Sequence, residues 1–492
     1  LSAKAASTAS ATNAPLTEPA LVLDWSGYDA YGAGDAYAAL PSHGAGFGKA
    51  AAVCIGSRTC QRATGQGVMC PSFRATGDTT HSTQHRAATL RAAMNGELGP
   101  QPFSHPDVDA AMDLCLACKG CKRECPNGVD MALLRTEVLA QRWKTQAMPR
   151  RDQLVASLPR WLPRLRAVRP LLALRRPGGW LAQLMERHFG VAAARSLPVP
   201  AARAFFDDWA SAAITPAAAP ASAPASSGLD AAAPSGRTAT REVVLLVDTF
   251  SNHLDPATAH AAVAVLRALG CTVQVVTPPA GERTLCCGRS ALSVGDVASA
   301  RTEAQRLLTA LAPWLERGLP VLGLEPSCLL MLRDEYQTMH LGELAVRAGQ
   351  QAWLLEEYVA REFKPADLPA LHAVPRQALV HGHCHQKAFG AMKAMRKVLG
   401  WVPQLQVEFI ESSCCGMAGA FGYEAEHHAL SMQMAEVDLL PAVRAASADT
   451  WLIANGTSCR HQIHDGAARQ AQHFVHILHA ALCPPAPLKA AV

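Results

Sequence analysis

The stretch Cys115-Leu116-Ala117-Cys118-Lys119-Gly120-Cys121-Lys122-Arg123-Glu124-Cys125-Pro126 sets four cysteines in the spacing C-x2-C-x2-C-x3-C and closes them with proline. Three thiolates two residues apart can wrap one cubane [4Fe–4S] cluster, while the fourth points toward a neighbouring cluster. Pro126 ends the loop because it has no N–H and a fixed φ. Zinc sites also open with C-x2-C, but they usually pair two separated knuckles, so zinc is the weaker reading. The spacing predicts electron-transfer chemistry.

Upstream lies a second set, Cys54-x5-Cys60-x9-Cys70-Pro71, whose Cys-Pro matches Cys125-Pro126. Two crossed half-sites would give Cys115, Cys118 and Cys121 their fourth ligand from Cys70. A second cluster would draw on Cys54, Cys60 and Cys125, one thiolate short, and would need a non-Cys ligand. The alternative is that Cys54 and Cys60 are ordinary buried thiols. One or two [4Fe–4S] clusters are therefore expected. Thr83–Met94, Pro106–Met112 and Asp130–Thr145 carry apolar residues at three- and four-residue spacing, which predicts an α-helical cluster domain. Arg74, Asp78, His81 and Arg86 stand close to the first set and either tune a cluster's potential or solvate a helix face. Lys119, Lys122 and Arg123 are expected to raise the potential or to dock an acidic partner.

The 492 residues imply more than one domain, and no apolar run is long enough for a transmembrane helix. Net charge is only +5, which gives no reason to expect nucleic acid. Sixteen cysteines without a secretory leader point to a reducing compartment and to metal or redox use. A cytoplasmic location is expected. Leu1-Ser2-Ala3-Lys4 offers neither an initiator Met nor an apolar leader, so a fragment, a processed product or an incomplete gene is expected. Residues 1–45 read as a flexible lead-in and 46–148 as the helical cluster domain. Residues 149–209 form a basic, Pro-interrupted connector that either docks on a partner domain or lies on an anionic membrane surface at the inner membrane. Residues 210–241, of Ala, Pro, Ser and Gly, read as a linker.

Beyond the linker, strands and helices alternate as in a parallel sheet, and the order repeats. In 242–375, strands near Glu242–Asp248, Thr272–Thr277 and Pro320–Leu324 are expected, with one helix from Ala291 to Leu315. In 376–492, strands near Ala378–His381, Val407–Ile410 and Trp451–Ala454 follow the same plan. Cys286-Cys287-Gly288 and Cys328 in the first copy correspond to Cys414-Cys415-Gly416 and Cys459 in the second, which adds Cys384. All fall just after strand ends, where open α/β sheets place their sites. The fold class is thus mixed: an α-helical ferredoxin-like domain, then an α/β domain of two pseudo-repeated units with parallel strands.

At the doubled Cys-Cys-Gly, residues 242–482 resemble the cysteine-rich CCG domain found in heterodisulfide reductase. The same domain occurs in the iron–sulfur subunits of glycolate oxidase and anaerobic glycerol-3-phosphate dehydrogenase. Met69-Cys70-Pro71-Ser72-Phe73, Thr76-Gly77-Asp78, Glu325-Pro326-Ser327-Cys328, His381-Gly382-His383-Cys384-His385-Gln386-Lys387 and Cys414-Cys415-Gly416-Met417 look like the C-terminal half of FAD-linked D-2-hydroxyacid dehydrogenases, the D-2-hydroxyglutarate and D-lactate enzymes among them. The resemblance implies an iron–sulfur module that takes electrons from a flavin and passes them to a quinone or another acceptor. It further implies a cluster or metal on Cys384, Cys414, Cys415 and Cys459, with His383 or His385 as added ligands, and Cys286, Cys287 and Cys328 facing it. The chain departs from the family pattern at Thr249-Phe250, where a ligand Cys is usual. No Gly-rich phosphate loop follows a strand, so FAD is expected on a partner or on a missing N-terminal domain. The alternatives are a thiol or heterodisulfide reductase component, a glycolate oxidase or glycerol-3-phosphate dehydrogenase iron–sulfur subunit, and a scaffold without chemistry.

Overall fold

Two four-stranded parallel sheets carry the second half of the chain in the computed structural model, which describes residues 18–62, 67–172, 174–214, 241–279 and 281–483. β1 (Arg241–Leu246), β2 (Cys271–Val275), β3 (Val321–Gly323) and β4 (Ala352–Leu354) are ordered β2-β1-β3-β4. β5 (Gln377–His381), β6 (Gln406–Phe409), β7 (Trp451–Ala454) and β8 (Ala471–Gln472) are ordered β6-β5-β7-β8. The repeat read in the sequence is therefore a repeat of topology. The short edge strands β4 and β8 escaped the sequence reading, since two or three residues carry no measurable period.

Register places the two copies on one another. Leu246 pairs with Gly323 at the end of β1, and His381 pairs with Ala454 at the end of β5. Three residues past those ends stand Thr249 and Cys384; five residues past the partner strands stand Cys328 and Cys459. The helices that follow are capped alike. Asp248 accepts from the N–H of Phe250 and Ser251, and His383 Nδ1 accepts from the N–H of His385. The Cys-Cys-Gly turns also match: Gly288 N–H approaches Cys286 Sγ at 3.4 Å and Gly416 N–H approaches Cys414 Sγ at 3.5 Å. Both glycines have positive φ, and a Cβ there would meet a helix carbonyl, of Ala300 or Ser431.

The first half is helical, with Thr83–Met94, Pro106–Asp113, Gly120–Glu124 and Met131–Arg142 around the cysteines. Its core is continuous with that of the first repeat: Phe47, Leu90, Met112 and Val138 share one cluster with Val244, Leu307 and Leu330. Gly295 explains one departure from expectation. The single helix foreseen over Ala291–Leu315 is broken into Arg289–Ser293 and Val297–Glu316. Gly295 turns the chain at φ +81°, and a Cβ there would lie 2.4 Å from Leu139 Cβ of the helical half. Asp296 then caps the second helix through Ser299 N–H.

Of the segment read as a lead-in, Leu21, Val22, Leu23, Trp25, Tyr28 and Tyr31 pack on the core. Glu137 accepts from Val22 N–H, Leu23 N–H and Trp25 Nε1, and Trp25 meets Phe47 edge to face. A buried carboxylate needs such donors, and the chain upstream supplies them. The basic connector lies on its own chain. Arg175 donates to the carbonyls of Ala192 and Arg195, Arg195 to Gly422 O, and Arg151 reaches Glu426. The linker reading falls mostly on residues outside the described ones; the helix Phe205–Ile214 precedes them.

Candidate cluster-binding site

Cys70, Cys115, Cys118 and Cys121 line one small cavity together with Arg86. Each thiol-bearing residue is at most 9% exposed. The cavity forms because Pro71 starts the helix Pro71–Thr76 directly behind Cys70, and because Ala117 and Lys119 take positive φ and turn Cys118 inward. Burial pushes the Cys118 and Cys121 thiols up, and neighbouring sulfurs add to the shift. Four soft donors crowded into one buried cavity fit a site completed by a cationic iron–sulfur core.

Arg86 is 1% exposed. Its Nη1 lies 3.3 Å from Cys70 Sγ, its Nη2 donates to Ser72 Oγ at 3.0 Å and its Nε to Ala111 O at 2.8 Å. A guanidinium fixed by three acceptors is a permanent positive charge beside the sulfurs. His81 instead meets Thr76 Oγ1 at 2.8 Å, and Asp78 caps Thr80 on the surface.

Cys54, Cys60 and Cys125 are buried in the same core. Cys60 accepts from Gln84 N–H at 3.4 Å and lies within electrostatic range of Cys54 and Cys70. Gln84 Oε1 is buried and has no hydrogen-bond partner among the described residues. Glu124, beside Cys125, accepts from the N–H of Val68 and Met69 and so ties the two cysteine sets together.

In the second repeat the thiols run Cys384, Cys414, Cys415, Cys459, each in side-chain contact with the next. This group adjoins the first cavity: Cys384 and Cys414 act on Cys118, and His385 Nε2 lies 3.2 Å from Ala117 O. His383 caps its helix, with Nδ1 3.9 Å from Cys384 Sγ. A ring nitrogen of His381 also lies near the thiols, within 4.8 Å of Cys415 Sγ and Cys459 Sγ. In the sequence His381 reads as the last residue of a strand, and its place just before the ligand loop is the one signal that sets it apart.

In the first repeat Cys286, Cys287 and Cys328 are neighbours, and Thr249 stands beside Cys286 where the second repeat has Cys384. Tyr336 Oη donates to Cys287 O at 2.8 Å. Glu325 lies within electrostatic range of both Cys328 and Cys459 and accepts from Thr457 N–H at 2.8 Å.

Two of the three cations in the cysteine loop are paired with carboxylates. Lys119 is 2% exposed and pairs with Asp130 at 3.0 Å, Asp334 at 2.8 Å and Glu335 at 3.5 Å. Lys122 pairs with Asp130 and Asp334. They dock the helical half onto the first repeat, because a buried ammonium must find carboxylates. Arg123 alone faces a cleft, which it lines with Arg62, Arg74, Lys393 and Arg396. Among the described residues no helix is long and apolar enough to cross a membrane.

Residues 50–129 match the 4Fe-4S dicluster domain family. The chain is 24% identical to D-2-hydroxyglutarate dehydrogenase of Escherichia coli K12 over 86% of its own length and 43% of that protein's. It is 24% identical to one subunit of the anaerobic glycerol-3-phosphate dehydrogenase of the same organism over 49% of this chain and 59% of the relative. It is 29% identical to lactate utilization protein A of Bacillus velezensis over 36% of this chain and 72% of the relative. The chain spans less than half the length of the D-2-hydroxyglutarate dehydrogenase it matches. With a dicluster domain wrapped around Cys70 and Cys115–Cys125, and with these relatives, it is an iron–sulfur electron-transfer module related to the C-terminal part of D-2-hydroxyglutarate dehydrogenase and to a subunit of anaerobic glycerol-3-phosphate dehydrogenase.

Proposed function

We propose that this chain serves a FAD-linked D-2-hydroxyacid dehydrogenase, receiving electrons from a flavin on a partner domain or subunit and delivering them to a quinone or another acceptor. The observation that carries this is the convergence of Cys70 with Cys115, Cys118 and Cys121 on one cavity against Arg86. When bound, a [4Fe–4S] cluster supplies a site that gains and loses one electron at a time. Cys70, Cys115, Cys118 and Cys121 would hold the first cluster; Cys54, Cys60 and Cys125 would hold a second. Cys384, Cys414, Cys415 and Cys459 would hold a further metal centre, and Cys286, Cys287 and Cys328 a weaker one.

The protein's own work is spacing and insulation. Buried thiols exclude water, Arg86 offsets negative charge at Cys70, and the contact of His385 with Ala117 O fixes the distance between the first cavity and the second repeat. The basic cleft around Arg123 and Lys393 suits an acidic face of the flavin partner. On the connector, Trp180 is 76% exposed and Leu174 68% exposed among arginines, which supports peripheral contact with the cytoplasmic side of the inner membrane.

Anaerobic purification with iron and sulfide counts, followed by EPR as isolated and after reduction, tests the reading. An iron–sulfur signal diminished by Cys118→Ser is expected. Stoichiometric zinc with no such signal after reconstitution would overturn it.

A further inference from the structure

β5 ends at His381, a side chain only 2% exposed. Its Nδ1 lies 2.9 Å from Ser412 Oγ, whereas Nε2 is buried and has no hydrogen-bond partner among the described residues. Ser412 is itself held, since Lys387 Nζ donates to its carbonyl at 2.5 Å and to its hydroxyl at 3.2 Å. In the tautomer whose Nδ1–H donates to Ser412, Nε2 is a bare acceptor. A ligand atom of His381 lies within 4.8 Å of both Cys415 Sγ and Cys459 Sγ. Histidines that bind metals characteristically donate the other ring N–H to a fixed oxygen, which sets both tautomer and ring orientation. A buried acceptor without a donor calls for a partner of some kind.

The two repeats show that this histidine is not a demand of the fold. By register the first repeat has Leu246 in its place, and Thr249 in place of Cys384. The second repeat thus gains an imidazole within 4.8 Å of Cys415 and Cys459 and a thiol in contact with Cys414.

We propose that His381 Nε2 is a ligand, with Cys384, Cys414, Cys415 and Cys459, of a metal centre in the second repeat. This rests on the reading above that the second repeat holds metal. Five donors exceed the four of a tetrahedral zinc site, so the class of centre is a polynuclear iron–sulfur cluster with mixed thiolate and imidazole ligation. A neutral imidazole in place of a thiolate removes one negative charge and raises the reduction potential, as it does in [2Fe–2S] centres with two histidine ligands.

The test uses the full chain labelled with [15N]histidine and purified anaerobically. Pulsed EPR is recorded in each oxidation state that gives a signal, with iron counted throughout. We expect a nitrogen hyperfine coupling on the signal that disappears in the Cys414→Ser/Cys415→Ser double variant. That coupling should be lost in His381→Leu, and Ser412→Ala should keep it while shifting the midpoint potential. A signal that depends on Cys414 and Cys415 but carries no nitrogen coupling, or a coupling that survives His381→Leu, overturns the ligand and leaves the metal centre standing. If the double variant loses neither iron nor signal, both readings fall. Should His381→Leu not fold, His381→Gln takes its place, and a coupling that survives it overturns the ligand.

Discussion

The two repeats share strand order, register, capping and the glycine of the Cys-Cys-Gly turn, yet they present different donors. The second offers Cys384, Cys414, Cys415, Cys459 and His381; the first offers Cys286, Cys287 and Cys328, with Leu246 and Thr249 at the remaining two positions. The backbone is a common holder, and the chemistry depends on which side chains fill two positions per copy. The copies also meet different neighbours. The second adjoins the first cluster cavity through Cys118, and the first is tied to the helical half by Lys119, Lys122, Asp334 and Glu335.

Several substitutions would sharpen or break that contrast. Cys118→Ser is expected to cost roughly four irons per chain, the content of one cubane cluster, measured by iron assay. It should also alter the EPR signal of the second repeat, because Cys118 lies within electrostatic range of Cys384 and Cys414; an unchanged signal would separate the two sites. Cys414→Ser/Cys415→Ser should remove metal that resists a chelator, and Cys286→Ser/Cys287→Ser only metal that leaves early in a chelator titration. Equal loss from both pairs would erase the asymmetry. Grafting Leu246→His with Thr249→Cys should raise the first repeat's retention of iron toward that of the second, read in the same titration.

Smaller effects follow from fixed charges. Arg86→Met should lower the midpoint potential of the cluster at Cys70, with Arg86→Lys between it and the wild type, read by potentiometric EPR; identical midpoints would reduce Arg86 to packing. His427 joins the second repeat to Asp113 of the helical half at 3.0 Å. Burial pulls its pKa down, but the hydrogen bonds of Asp113 and Glu424 outweigh it and raise the pKa to about 9. The folded pKa lies above the usual ~6.5, so the clamp contributes fully below that pH and is lost as pH rises through 9. Urea midpoints should fall across this window in the wild type and stay nearly flat in His427→Gln.

The cysteine spacing, the repeat and the mixed fold were legible because each rests on local periodicity: two- and three-residue thiol intervals, strand-like apolar runs and helical three- and four-residue steps. Thr83–Met94 and Trp451–Ala454 could be bounded from sequence for that reason. Long-range meetings were not. Whether Lys119 faces solvent or Asp334, which carbonyls the connector's arginines reach, and which histidines stand near the thiols depend on residues far apart in the chain. The sequence by itself determined which donors exist and how tightly each set is spaced. Only the tertiary structure decided that Cys118 comes within electrostatic range of Cys384 and that a His381 nitrogen comes within 4.8 Å of Cys415 and Cys459. The reason is physical: a buried charge or lone pair takes whichever partner the packing brings within hydrogen-bond range, and packing is a property of the whole chain.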